Sequence, residues 1–446
     1  MTPGSPLACV VLAAGRGTRM KSGMPKMLHA ALGRTLAEWV ADSVLQVGAE
    51  RTLAIVSPDA DGVRARLPAG VEAVTQAEPL GTGDAVRSAR PALEGFDGDV
   101  LVLNGDHPLT DPASLIALRD AHRESDAAAS VLTFNRTDAV GGDFGRIVRG
   151  AGGAVERIVE VRDATPAERE IAEVSSGIFI FRSADLWPAL ENLDTANDQG
   201  ELYVTDTIAA LAAAGRTIVA YRHPDATVAL GINTRADLAA AAAILRDRTN
   251  RAHMLAGVTI VDPATAWIDA SVEIERDVVI EPFTVLRGAT RVETGAVVGP
   301  HVVAVDARIG PGAVIGPFTY LRPGADIGED AKAGTFVEIK NSEIRARAKV
   351  PHLSYIGDAE VGEDTNIGAG NITANYDGSQ KQRTTIGRDV RTSSDTVFVA
   401  PVTIGDGAWT AAGSVITDDI PPDALGVART RQKNIEGYGT RKRSRT

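Results

Sequence analysis

The sequence predicts two folds in series: an α/β domain on a mostly parallel, Rossmann-like sheet, then, after a long helix, a parallel β-helix of hexapeptide repeats. Three observations carry this. Short apolar runs alternate with helical patterns up to about residue 232, Thr234 to Leu255 is rich in helix formers without Gly or Pro, and apolar residues then recur at every sixth position.

At 446 residues the chain exceeds one ordinary domain, since domains run roughly 100 to 200 residues. The reading divides it into an α/β domain (1–232), a linker helix (233–257), a β-helix (258–428) and a basic C-terminal tail (429–446). With 44% hydrophobic but only 4% aromatic residues, the cores must be built from Val, Ile, Leu and Ala. A net charge of −12 argues against nucleic-acid binding, and the closing RKRSRT is read as a solvated tail. The single cysteine, Cys9, excludes an intrachain disulfide and a thiolate cluster, as expected of a reducing cytoplasm. The alanine-rich stretch Leu238 to Leu245 is too short to span a bilayer and no leader is apparent, so the expectation is a cytoplasmic protein without membrane contact.

In the first region LACVVLAA, RTLAIV and DVLVLNGD read as strands, and ALGRTLAEWVADSVLQVGA and PASLIALRDAHRE as helices. Behind the first strand comes LAAGRGTRM, Leu12 to Met20. Gly15 and Gly17 leave backbone amides uncovered for phosphate oxygens, and Arg16, Arg19 and Lys26 supply positive charge. Met20 stands where a dinucleotide fingerprint needs its third glycine, and no GKS or GKT follows, so the implied ligand is a nucleoside triphosphate. Asp106 ends the strand LVLNGD at the carboxyl edge of such a sheet, where a carboxylate is placed either to cap a turn or to hold Mg²⁺.

In the last region Ile274, Ile280, Leu286, Val292 and Val298 keep strict six-residue spacing, as do Ile309, Ile315, Leu321, Ile327, Ala333 and Ile339, and later Ile386 through Ile416. Each such residue should stack under the next coil of a β-helix. The breaks in phase near Ala304, near Ile344 and from Ile372 to Thr385 are expected to be loops leaving the solenoid, where binding residues gather. Lys340, His352 and Tyr355 lie in the break after Ile339, and His352 suits a general base because an unperturbed imidazole titrates near pH ~6.5.

LAAGRGTRM, MPKMLH, TQAEPLGTGDA, NGD, DFGRI, RIVEVRDAT and GINTR occur in an order that resembles the sugar-1-phosphate nucleotidyltransferases. With HLSY, NIGAG and NYDG added, the chain is similar to the bacterial bifunctional N-acetylglucosamine-1-phosphate uridylyltransferases and glucosamine-1-phosphate N-acetyltransferases. The resemblance implies a nucleotidyltransferase domain followed by a left-handed β-helix. It implies UTP and UDP-sugar contacts at Leu12, Ala13, Ala14, Gly15, Arg16, Lys26, Gln76, Gly81, Thr82, Asn104, Gly105 and Asp106, with Arg19 and Lys26 catalytic on the phosphates. Gly145, Glu160 and Ser175 to Gly177 would line the sugar pocket, with Tyr203 and Thr205 nearby, and Asp106 and Asn233 would hold Mg²⁺. Ser175 and Ser176 stand where that family usually has Asn and Thr.

For acetyl transfer the resemblance implies His352 as general base, with Glu338 as an orienting or relay carboxylate. Glucosamine 1-phosphate would be held by Arg322, Lys340, Tyr355, Asn366 and Lys381, and acetyl-CoA by Ala369, Asn375, Tyr376, Ser394, Ala412 and Arg429. The β-helix would make the N-acetylglucosamine 1-phosphate that the first domain couples to UTP, giving UDP-N-acetylglucosamine for peptidoglycan and, where present, lipopolysaccharide. A homotrimer with sites shared between subunits is implied. The rival reading is a monofunctional nucleotidyltransferase with a structural or regulatory β-helix.

Overall fold

A computed structural model describes residues 5–15, 17–136 and 143–443 of the chain, which divides into two units, Met1–Leu245 and Arg246–Thr446. In the first unit the apolar runs pair into one sheet. Its order is Ile218–Arg222, Ala129–Asn135, Glu173–Arg182, Asp99–Asn104, Leu7–Leu12, Arg51–Val56, Val71–Thr75. Pairing along this path is parallel except at Glu173–Arg182, which runs antiparallel to both neighbours. Leu7–Leu12 lies inside the sheet with both faces covered, which is why it reads as an unbroken apolar run. Cys9 in it is fully buried, and that burial pushes its thiol up to about 12, so it packs and does not react.

Register places Leu12 beside both Asn104 and Ile55. The loops that follow these strands therefore leave the sheet at one carboxyl edge, the usual ligand position in open α/β sheets. The long helical pattern after the first loop is only partly helix. Ala30–Ala31 and Arg34–Thr35 form a small hairpin, and Thr35 then caps Leu36–Leu45 in a reciprocal box with Glu38. A 21-residue helix occupies Arg235–Leu255. Ala241 and Leu245 in it pack in the first unit, while Asn250 Nδ2 donates to the Pro263 and Ala266 carbonyls of the second at 2.8 and 3.0 Å.

The second unit is a left-handed parallel β-helix. Its strands, mostly of two or three residues, stack coil on coil into three long parallel sheets. The aliphatic residues at six-residue spacing fill one continuous core, with Ile274 packed at its margin. Two of the three expected loops are absent. At Ala304 and Ile344 the spacing contracts to five residues without leaving the solenoid, and both residues stay buried. One corner residue is saved by a left-handed turn: Asp306 (φ 47°) before Ile309, Asn341 (φ 44°) before Ile344, and again Asp358 (φ 50°) before Val361. Asn and Asp adopt this conformation at lower cost than most residues. The third expectation holds, because between Thr373 and Ile386 the chain leaves the coil as a short hairpin in which Tyr376 pairs with Lys381.

Candidate active sites

The glycine-rich loop takes its shape from Gly17. Its φ is 61°, and a Cβ there would stand 2.5 Å from Lys26 Cβ, so only glycine lets the loop close over the lysine. Lys26 is buried, and an unpaired buried ammonium would be costly. It is paired with Asp106 and also donates to Asn233 Oδ1 at 2.9 Å, an atom that accepts Arg19 Nη2 at 2.9 Å as well. Residues spread over the whole first unit thus meet at one point. Burial by itself would raise the Asp106 carboxyl, but the neighbouring His107 and the charge and hydrogen bond of Lys26 hold it below the usual carboxylate range. Burial lowers His107, whose ring lies 3.5 Å from Asp106.

A cavity of about 550 Å³ opens on this point, lined by Leu12, Ala14, Gly15, Arg19, Lys26, Gln76, Gly81, Thr82, Asn104, Asp106 and Asn233 among others. A second, of about 410 Å³, is lined by Gly145, Glu160, Ser175, Ser176, Gly177 and Thr205. Arg19, Asn104, Asp106 and Asn233 line both, so the two cavities meet at the carboxylate and amide. Ala13 faces a third cavity of about 650 Å³, which Gly15 and Gln76 also border. Gln76 is buried, and its Nε2 donates to Asp84 at 2.9 Å and to the Gly81 carbonyl at 3.2 Å. Gly105 is turned inward, its N–H donating to the Leu12 carbonyl at 2.8 Å. Arg16 lies outside the described residues.

In the second cavity Glu160 accepts from Thr205 at 3.1 Å. Burial pushes its carboxyl up, and Asp206 and Asp163 add like charge, against the Thr205 bond. Ser175 Oγ accepts from the Gly177 N–H at 3.2 Å and fixes the turn. Tyr203 is held by Gln199 at 2.7 Å. His107 lines this cavity too, and the sequence reading gave it no role, although it directly follows Asp106.

Asp106 and Asn233 offer two oxygen donors that converge on one cation, the Lys26 ammonium. Hard oxygen donors of this kind suit Mg²⁺, which takes one or two protein ligands and fills its remaining positions with water and phosphate. Among the described residues no group of three or more His, Cys, Asp or Glu is gathered as a metal site.

In the β-helix, coil register assembles the second site. Leu353, Gly370, Asp395 and Gly413 donate their N–H groups to Thr335, His352, Ala369 and Ser394. His352, Ala369, Ser394 and Ala412 therefore follow one another up a single corner, and coils rise about 4.8 Å each. His352 is exposed there. On the adjoining face Glu338 pairs in register with Tyr355, and Lys340 with Gly357. Arg322 donates to Glu338 at 2.8 Å, and among the described residues no hydrogen bond joins Glu338 to His352. Asn366 stands on another face, between Lys349 and Arg391. Arg429 is exposed beyond Ala428, whose carbonyl accepts from Val415.

A Cβ on Gly357 would stand 2.3 Å from Tyr355 Oη, so the tyrosine ring lies across a bare backbone. Asn375 Nδ2 comes within 3.5 Å of that hydroxyl. Lys340 and Lys381 face each other closely. Lys340 is raised by its hydrogen bond to Lys381 and by Asp358, and that same bond together with the charge of Lys340 lowers Lys381. Lys340 on Asp358, Lys381 beside Lys340 and Arg322 on Glu338 bring three basic side chains together, a grouping suited to a phosphate dianion. Sequence reading missed that carboxylate, Asp358, whose only signal was its place in a five-residue spacing.

Comparison with known proteins bears on both units. Residues 9–257 match the family model described as a MobA-like NTP transferase domain. Over 98% of its length the chain is 48% identical to a protein of Streptomyces coelicolor named Bifunctional protein GlmU, covering 95% of that protein. Proteins of the same name from Mycobacterium bovis and Mycolicibacterium smegmatis are each 45% identical, over 98% and 99% of this chain and 92% and 96% of their own. A solved UDP-glucose pyrophosphorylase complexed with UDP-glucose aligns at 16% identity over 49% of the chain and 91% of its own, with a TM-score of 0.41. That overlap is too loose to carry an argument.

Proposed function

This chain belongs to the GlmU family of bifunctional enzymes of UDP-N-acetylglucosamine synthesis, and from that premise we propose a specific division of labour between its two sites. The observation that carries the proposal is the shared wall of the first site, where Asp106 and Asn233 border both a cavity behind the phosphate loop and a polar, sugar-sized one.

UTP lies in the first cavity, with its base toward Gln76 and its phosphates at Gly15, Arg19 and Lys26. N-acetylglucosamine 1-phosphate lies in the second, against Glu160, Ser175 and Thr205. An oxygen of the sugar phosphate attacks the α-phosphorus in line; that P–O bond forms as the bond to the bridging oxygen breaks, and pyrophosphate leaves with its electrons. Arg19 and Lys26 offset the charge that gathers on the phosphates, and no nucleophilic side chain is needed. Mg²⁺ held by Asp106 and Asn233 would supply Lewis-acid charge neutralisation there.

In the β-helix the amine of glucosamine 1-phosphate gives a proton to His352 and attacks the thioester carbonyl of acetyl-CoA. The C–N bond forms, the C–S bond breaks, and the thiolate leaves. Arg322, Lys340 and Lys381 hold the sugar phosphate, and the coenzyme follows the small-residue corner of Ala369, Ser394 and Ala412, with Arg429 on its phosphates. No helix among the described residues is long and apolar enough to cross a membrane. We infer a cytoplasmic homotrimer that acts on small molecules without nucleic-acid partners.

The test is a panel of sugar 1-phosphates and nucleoside triphosphates with Mg²⁺, with and without acetyl-CoA. Glucosamine 1-phosphate should give UDP-N-acetylglucosamine only when acetyl-CoA is present. Uridylyl transfer without any acetyl transfer would favour the structural role for the β-helix.

A further inference from the structure

Asp358 occupies a corner of the β-helix directly beneath the place where the hairpin leaves the solenoid. Its backbone N–H donates to the Lys340 carbonyl, and its own carbonyl accepts from Thr384, where the chain returns from the hairpin. The Asp358 side chain is buried, at 10% exposure. It accepts from Asn341 Nδ2 at 2.6 Å, from Lys340 Nζ at 3.3 Å and from Asn375 Nδ2, the residue from which the hairpin departs. One buried charge therefore holds the coil below, the outgoing end of the hairpin and a cation of the site.

We propose that Asp358 is the positioning residue of the acetyl-transfer site, a reading that rests on the function proposed above. Asp358 contacts neither the amine nor the thioester. It acts through Lys340 and Lys381, which converge on the sugar phosphate, and through Asn375, whose amide faces the Tyr355 hydroxyl beside the coenzyme path. Without a carboxylate two neighbouring ammonium groups would repel each other, and one would give up its proton or swing away. An amide cannot replace it. The surrounding groups are all donors, so half of an asparagine side chain would present N–H to N–H.

Asp358→Asn in the full-length enzyme tests this. The glucosamine 1-phosphate KM for acetyl transfer should rise about tenfold or more, as loss of a charged hydrogen bond implies, and uridylyl transfer should stay at the wild-type level. The pH profile separates positioning from simple support. The charged and titratable groups around the two lysines are Arg322, Glu338, Tyr355 and Asp358; removing the last lowers lysine basicity, so the alkaline limb of kcat/KM should move to lower pH. An unchanged KM and an unchanged limb in a folded variant overturn the proposal. Should Asp358→Asn fail to fold, Asn341→Gly, which keeps the left-handed corner and removes one hydrogen bond, should raise the same KM roughly threefold; an unchanged KM there also overturns it. Wild-type enzyme without acetyl transfer would instead refute the function on which the inference rests.

Discussion

The two units build their sites by opposite means and with opposite polarity. In the α/β unit the site converges from afar: Lys26, at the start of the helical turn Lys26–Leu28, meets Asp106 and Asn233 from two separate loops at the carboxyl edge of a sheet. In the β-helix, residues a coil apart stack by register, and the chain order alone sets their spacing. The first site presents oxygen donors around one buried cation, and the second presents basic side chains of which one, Lys340, is held by a buried carboxylate, Asp358. A sheet edge can gather donors for a metal and a triphosphate, whereas a solenoid offers a graded corner along which a long coenzyme can lie.

The largest effects should come from breaking one site while sparing the other. Asp106→Ala removes an oxygen donor and leaves Lys26 buried without its counter-charge; uridylyl transfer should fall about a thousandfold or more. Acetyl transfer, measured by thiol release, should persist. His352→Ala should do the reverse, with a loss of about 10²- to 10⁴-fold in acetyl transfer, the usual contribution of a general base. If either variant lost both activities, the separation of the sites would fail.

Gly357→Ala is expected to act next most strongly, and only on the second site. Its Cβ would meet Tyr355 Oη at 2.3 Å and Cζ at 2.6 Å, and it is the residue's own coil that would have to give. Overpacking of this kind costs about 1–3 kcal/mol. The displaced hydroxyl should raise the KM of the acetyl-transfer substrates about tenfold. Thermal melting and both assays on one preparation separate the two costs.

How far each unit was legible in the sequence follows from the same contrast. The β-helix announces its period, so the buried positions from Ile280 to Ile416 could be named without coordinates. Its corners could not. A contraction from six to five at Ala304 and Ile344 looks like a loop in sequence, and only a left-handed Asp306 or Asn341 shows that the coil closes. Asp358 was invisible for that reason, since corner Asp residues are common in this unit and its partners come from other coils. In the α/β unit the strand LACVVL and the phosphate loop were plain, but the meeting of Arg19, Lys26 and Asn233 depends on separations above 200 residues. The local loop pattern supplied Arg19 and Lys26, whereas Asn233 came only from motif resemblance. The helix after the loop was overextended because the Thr35 cap decides where it begins.

A pH test sharpens the contrast in polarity. Glu160 is raised by burial and by Asp206 and Asp163, so its contribution to stability is fully present below the ordinary carboxyl range and is lost as pH rises through its raised value. Above the ordinary carboxyl range the burial of Glu160 therefore counts against the folded state. Glu160→Gln should therefore melt above wild type at neutral pH, by roughly a few degrees or less, and match it near the acid end. A variant that melts lower at pH 7 than at pH 4 relative to wild type would reverse the sign and refute the assignment.

The smallest effect expected is on sugar choice. Ser175 is buried and spends its hydroxyl on the Gly177 N–H, so it shapes the turn more than it reaches into the cavity. An asparagine there carries a longer amide that would extend toward the sugar. If the cavity now discriminates by shape and by Glu160, Ser175→Asn should improve the preference for N-acetylglucosamine 1-phosphate over glucose 1-phosphate by about three- to tenfold, one hydrogen bond's worth. Ser175→Ala, which frees the Gly177 N–H, should instead raise the KM of both sugars alike. Equal preference in all three forms would mean that the turn is scaffold only, and that selection rests with the Glu160 and Thr205 wall.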